Sequence, residues 1–251
     1  MTAAQIHDQT PKKNSGRRWA IGIGIGVLAL VVLAVIADIV GRQIAEDRIE
    51  TEIAAQLPEN VQGEVTAEIE GFSFLSQYFQ GRFEKVNLAS EQLVVNGAPM
   101  NVQGSLHGVT NFDAPKAERM DGTVSISEES ANSLINIPMA DSDLKFGEGK
   151  VEFQTSIPVL GSNTGVTAEA RPIVRGKNLI IAIDKFSLGT GGTQYDAQDV
   201  WPGDAQIQVC LADRIPKNVT LDGIDIRPGT ATFRLTGSDL DVATLGETGS
   251  C

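Results

Sequence analysis

The sequence predicts an α+β protein. One N-terminal transmembrane helix leads into a long amphipathic helix, and a strongly curved antiparallel sheet wraps around the latter. Three observations carry this expectation. Ala20 to Ala37 is a run of 18 residues without a charge, long enough to cross a bilayer. Directly behind it, RQIAEDRIETEIAAQLP (42–58) sets Ile44, Ile49, Ile53 and Leu57 four or five apart with charges between them. Beyond Pro58 the apolar period drops to two, and it stays there almost to the C-terminus.

Residues 1–18 are polar, carry Lys12, Lys13, Arg17 and Arg18, and read as a disordered cytoplasmic tail. The apolar run that follows exceeds the roughly 7–15 residues of a signal-peptide core. Basic residues precede it, whereas Asp38, Glu46 and Asp47 follow it. That asymmetry places the N-terminus in the cytoplasm. Residues 19–41 are therefore expected to be a single-pass signal-anchor, with the rest of the chain outside the membrane. The alternative is cleavage after Ala37 at Val35-Ile36-Ala37, which would secrete the chain from Asp38 onward. Gly22, Gly24 and Gly26 spell GxGxG inside the run, but no strand precedes them, so they are not a dinucleotide loop.

The amphipathic helix ends at Pro58, and the alternating segments begin at Val65, Ala67 and Ile69. They continue through 86–95, 100–109, 122–127, 151–160, 167–174, 178–188, 205–211, 219–226 and 230–236, bounded by NG, GEG, RGK and RPG turns. Half-apolar strands with such turns signal antiparallel sheet with one buried face. One more helix interrupts them: Ser127 is a candidate N-cap, Glu128 and Glu129 fill the first turn, and Ala131, Leu134 and Ile135 share a face before Pro138. Two helices cannot cover so much sheet, so the sheet must curl around them or fold on itself. The domain is expected over 42–244, with 245–251 a C-terminal tail.

From Asp38 onward the chain holds 16 Lys and Arg against 31 Asp and Glu, a net charge of −15. That surface repels nucleic acid and gains nothing from anionic headgroups in general. Cys210 and Cys251 are the only cysteines. An extracytoplasmic compartment permits a disulfide between them, the alternative being two free thiols; a metal site is not expected from so distant a pair. His107 is the one histidine outside the tail and alternates with Leu106, as a residue on the polar face of a strand does. No nucleophile elbow, zinc-protease helix, phosphate loop or calcium loop is present. The acidic pairs Glu128–Glu129 and Asp141–Asp143 fall at a helix start and in a turn, where acids are ordinary. The sequence predicts neither a catalytic centre nor a cofactor.

The densest feature is GFSFLSQYFQGRFEKVNL (71–88). Five of the chain's 13 Phe, Tyr and Trp residues, Phe72, Phe74, Tyr78, Phe79 and Phe83, fall within it. A short helix plugging the core is one reading. Arg82 and Lys85 follow at once, however, in a chain poor in positive charge, and aromatics beside a basic pair suit acyl chains and a phosphate together. Phe72, Phe74, Leu75, Tyr78, Phe79 and Phe83 are accordingly candidates for acyl contact, with Arg82 and Lys85 for the headgroup. Arg171, Arg175 and Lys177 form a weaker basic group. Val86, Leu88, Leu134, Phe153, Ile157 and Ile181 are candidates for an apolar lumen, although strand parity alone does not say which face looks inward.

The order of GFSFLSQYFQGRFEKVNL, MNVQGSLHGV, GTVSISEESANSLI, DLKFGEGKVEFQTSIPVLG and LDGIDIRPGTATFRLTGSDLDV resembles the actinobacterial lipomannan elongation activator (LmeA) family, over residues 42–244. That resemblance implies a tubular lipid-binding fold like that of bactericidal permeability-increasing protein. It also implies an envelope location, a phospholipid ligand, and support of lipoglycan mannosylation by a separate mannosyltransferase. The chain departs from the pattern at 161–165 and 191–216, which are more polar. A scaffold that docks a transferase without carrying lipid is the competing expectation.

Overall fold

The computed structural model describes residues 15–110, 115–134, 143–159, 162–188, 194–196, 206–211 and 215–241. The first element, α1, is one unbroken helix, Ser15–Gln56. Anchor and amphipathic segment are thus a single rod, and its apolar part is long enough to cross a membrane as an anchor or to serve as a signal sequence.

The strands form two antiparallel sheets where a single curved one was expected. The first comprises β1 (Val61–Gln62), β2 (Thr66–Glu70), β3 (Arg82–Val95), β4 (Ala98–Thr110), β5 (Lys116–Ser127), β12 (Val219–Arg227) and β13 (Thr230–Asp241), in the order β1-β3-β4-β5-β13-β12 with β2 also on β3. The second comprises β6 (Asp143–Phe146), β7 (Val151–Val159), β8 (Ser162–Arg175), β9 (Asn178–Leu188), β10 (Gln194–Asp196) and β11 (Gln206–Cys210), in the order β10-β9-β8-β7-β6 with β11 also on β9. Two short helices complete the fold, α2 (Phe74–Gln80) and α3 (Glu128–Leu134). Tight turns join neighbouring strands as their residues demand. At Asn96-Gly97 both residues take positive φ, 52° and 86°, the geometry of a two-residue hairpin turn.

Both expected helices form. Ser127 caps α3, its Oγ accepting from Ser130 N at 3.1 Å. However, α1 is not enclosed by sheet; its close contacts are with β2 and α2. It lies along the free edge of β2 and seals it. Glu46 Oε1 accepts from Ile69 N at 2.7 Å, and Glu50 Oε1 accepts from Ala67 N at 2.8 Å. Four residues of helix advance about 6 Å and two residues of strand about 6.6 Å, so carboxylates four apart meet alternate edge amides. The second sheet repeats the device. On α3, Glu128 accepts from Phe146 N at 2.6 Å, while Asn132 accepts from Leu144 N at 2.8 Å and donates to its carbonyl at 2.9 Å. These side chains satisfy edge groups that would otherwise recruit another strand.

Three buried clusters hold the fold. Ile69, Phe74, Phe83 and Val86 pack against Ala45 and Ile49 of α1. Ala117, Val219 and Leu240 join at the same end of the first sheet. At the other end Ile126, Ile226 and Ala231 meet Ala131 of α3 and Phe146, with Leu144 and Val151 against them. That last cluster joins the two sheets.

Candidate functional site

Register across the first sheet separates its two faces. Val86, Leu106 and Met120 form one rung, Leu88, Gly104, Gly122, Leu235 and Leu221 the next, and Ser90, Val102, Val124, Phe233 and Ile224 a third. The rungs between them are polar: Asn87, Ser105, Asp121, Thr236 and Thr220, then Ala89, Gln103, Thr123 and Arg234. Successive strand residues point to opposite faces, so one face is apolar and the other polar. The clusters bury both ends of the apolar face. Its middle, at Leu88, Val102, Val124, Phe233 and Leu235, is only half-buried. Two glycines pair there, Gly104 with Gly122, and thin the surface. A Cβ on Gly122 would stand 3.9 Å from Leu235 Cβ and 3.8 Å from Met120 Cε, on the apolar side.

The second sheet continues this surface. Leu144, Phe153, Ala168 and Phe186 form a rung, and beyond a bulge at Glu169–Ala170 so do Val151, Ala170 and Ile183, then Pro172, Ile181 and Ile207. Leu144, Phe146 and Val151 pack into the cluster at the end of the first sheet. An apolar band therefore runs from the α1 end of the first sheet, across the junction at α3, onto the second. The 12 residues of β13 alone give it about 40 Å.

The sequence candidates divide on this framework. Val86 and Leu88 lie on the apolar face, Val86 buried and Leu88 half-buried; Phe153 and Ile181 lie half-buried on the matching face of the second sheet. Ile157, in β7, pairs with Thr164 of β8. Leu134, at the end of α3, is exposed. Absent from the candidates were Val102, Val124, Phe233 and Leu235. Period two marks each of them, but only the cross-strand register brings β5 beside β13.

The aromatic segment splits in two. Phe74 and Phe83 are buried against α1, ring centroids 5.8 Å apart, with Leu75 packed beside them. Gly108, at φ +63°, interrupts the alternation opposite this point and lets Phe83 and Val86 share one core. Phe72, Tyr78 and Phe79 face outward at 102%, 53% and 82% exposure. Ser73 caps α2 through Ser76 N, and Gly81 ends it in the left-handed conformation. Buried Gln77 ties the helix down, donating to Glu70 O at 3.0 Å and accepting from Glu84 N at 2.8 Å.

Both neighbouring cations have carboxylate partners. Arg82 holds Glu118 in a two-pronged pair, with Nη2 at 2.8 Å from Oε2, and Lys85 Nζ donates to Glu70 at 2.9 Å. These bonds hold the Glu118 and Glu70 carboxyls below their ordinary range. On the second sheet Arg171 embraces Asp184 at 2.6 and 2.7 Å and lowers its pKa in the same way. Lys177 donates to Lys217 O, and Arg175 is exposed.

His107 sits on the polar face as expected, 3.2 Å from Asp121. A concavity of about 520 Å³ lies over the paired glycines, lined by Asn87, Ser105 and Asp121 on one side, Gln103, Thr123 and Arg234 on the other, and Leu88, Gly104, Gly122 and Leu235 between them. Among the described residues no group of three metal-ligating side chains converges. Cys210 is disulfide-bonded. The chain's other cysteine, Cys251, lies outside the described residues, as do Ile135, Pro138 and Asp141.

The arrangement defines a class: a two-sheet protein that presents a long, half-buried apolar surface and begins with a long apolar helix. The chain belongs to the LmeA-like phospholipid-binding family, whose model matches residues 36–236. No curated protein and no solved structure matches it.

Proposed function

We propose that this protein holds phospholipid acyl chains on the apolar band of its two sheets, as a non-enzymatic component of the cell envelope. The observation that carries the reading is the half-buried middle of that band, Leu88, Val102, Val124, Phe233 and Leu235, with paired glycines at its thinnest point. A soluble sheet normally buries such a face completely. Burying ten methylenes here contributes about 8 kcal/mol before ordering costs. Curvature that brings the two apolar faces toward one another would turn the band into the lumen that the tubular lipid-binding resemblance implies. Phe153 and Ile181 would line its far half, and Leu134 its middle.

In this reading α1 is retained as the membrane anchor, with the domain on the extracytoplasmic side. Phe72, Leu75, Tyr78 and Phe79 stand at the membrane end. Arg82 and Lys85 reach a headgroup phosphate by exchanging it for the carboxylates of Glu118 and Glu70. The biological role is support of lipoglycan mannosylation by a separate mannosyltransferase, or envelope lipid handling more broadly. A disulfide between Cys210 and Cys251 belongs to the same proposal.

Native mass spectrometry tests the reading on residues 38–251 purified without detergent, a form that keeps every α1 contact from Asp38 onward. The expected result is phospholipid at about one per chain, by the size of the band. Lipid-free protein that instead captures an envelope transferase would replace the proposal with the scaffold reading.

A further inference from the structure

The exposed aromatics of α2 are fixed in height by the helix that enters the membrane. Four α1 residues, one per turn, bond the segment running through β2 into α2. Glu50 meets Ala67 N, Glu46 meets Ile69 N, Arg42 donates to Gly71 O at 2.9 Å, and Asp38 Oδ1 accepts from Ser73 Oγ at 2.7 Å and Leu75 N at 2.8 Å. As α1 is followed back toward its apolar part, the bonded residues climb from 67 to 75. So β2 runs toward the membrane end, and α2 is the turn there before β3 runs back.

Asp38 is also the first charge after the apolar run. Eighteen residues at 1.5 Å each span about 27 Å, close to the hydrocarbon thickness of about 30 Å, so Asp38 stands at the outer boundary of the lipid core. Its partner α2 stands at that level too. Gly41 strengthens the seat, because the Phe74 ring lies 3.2 Å from where its Cβ would be. The residues left outward at this level are Phe72, Tyr78 and Phe79.

We propose that Phe72, Tyr78 and Phe79 form a foot inserted into the headgroup–acyl boundary of the bilayer that α1 crosses, fixing the tilt and height of the apolar band above the leaflet. Tyr favours that boundary, and Phe on the apolar face of an interfacial helix buries into it. The occupant is a lipid surface because the patch is continuous with the membrane-crossing helix, and the attraction is apolar because the domain carries a net charge of −15. This inference rests on α1 being retained as an anchor.

Spin labels on one added cysteine at a time, introduced as Leu30→Cys, Phe79→Cys or Asn101→Cys in the full chain reconstituted into phosphatidylcholine vesicles, test it by power saturation, with the unsubstituted chain as the background for Cys210 and Cys251. Phe79 and Asn101 lie at or near the surface, so labelling leaves the fold intact. The expected result is a label at 30 deep in lipid, one at 79 at the boundary and favouring oxygen over an aqueous nickel chelate, and one at 101 in water. Raising salt to 0.5 M should leave the label at 79 in place. A label at 30 in lipid with 79 in water overturns the foot alone. A label at 30 in water overturns the anchor and the foot together.

Discussion

Two phenylalanines five residues apart, Phe74 and Phe79, show how one segment divides its work. Phe74 is buried between α1 and Phe83, whereas Phe79 projects outward. Replacing Phe74 with alanine leaves a cavity where the structure cannot collapse and should cost about 3–5 kcal/mol in denaturant titration. The same change at Phe79 should stay within about 0.5 kcal/mol. Equal losses would mean that both rings belong to the core. The ion pairs make a second prediction at this scale. The carboxyls of Glu118 and Asp184 are depressed by their arginines, so their stabilising contribution is complete above the unfolded values of 4.5 and 3.8 and is lost as pH falls through the folded ones. Both pairs are partly exposed, so the effect is small. The melting-temperature gap between the wild type and an Arg82→Gln, Arg171→Gln double variant should be full at pH 6, begin to narrow below about pH 4.5 and shrink further as the depressed carboxyls take up protons. A gap that does not narrow on acidification would contradict this linkage.

At the scale of elements, the two sheet edges depend on helices whose polar side chains recur every fourth residue. Glu46→Ala removes the acceptor of Ile69 N and should cost about 1–3 kcal/mol. Hydrogen exchange should accelerate at Ile69 and Ala67 before it does in β4 or β5; unchanged exchange there would mean that α1 does not seal the edge. Element types were largely legible in the sequence. Alternation marked the main strands, Asn96-Gly97 marked its hairpin, and Ser127 marked the start of α3. The division into two sheets was not legible, because it depends on β5 pairing with β13 across more than a hundred residues. The place of α1 was hidden for a related reason. Glu46 and Glu50 read as solvent-facing charges of an amphipathic helix, and only the nearby edge of β2 makes them backbone acceptors.

For the whole molecule, the disulfide and the apolar band make separate predictions. A bridge between Cys210 and Cys251 closes a loop of about 40 residues, and its loss in Cys251→Ser should cost roughly 3–4 kcal/mol. An unchanged denaturation midpoint would show that no such bridge supports the fold. Much of the candidate site could be read from the sequence in kind but not in place. Val86, Leu88, Phe153 and Ile181 were recognisable as apolar strand residues, yet which face they shared required the register. The aromatic cluster drew attention as one unit because sequence proximity does not distinguish Phe74, facing α1, from Phe79, facing outward.

The most direct measurement is photocrosslinking with a phospholipid that carries a diazirine midway along one acyl chain, with the modified residue assigned by tandem mass spectrometry. Label should concentrate on the side chains of Leu88, Val102, Val124 and Leu235, not on their sequence neighbours, and should fall sharply in Gly122→Leu, which fills the thin point of the band. Label spread over the polar face around Gln103 and Thr123, or undiminished in Gly122→Leu, would contradict acyl-chain binding on the apolar sheet face.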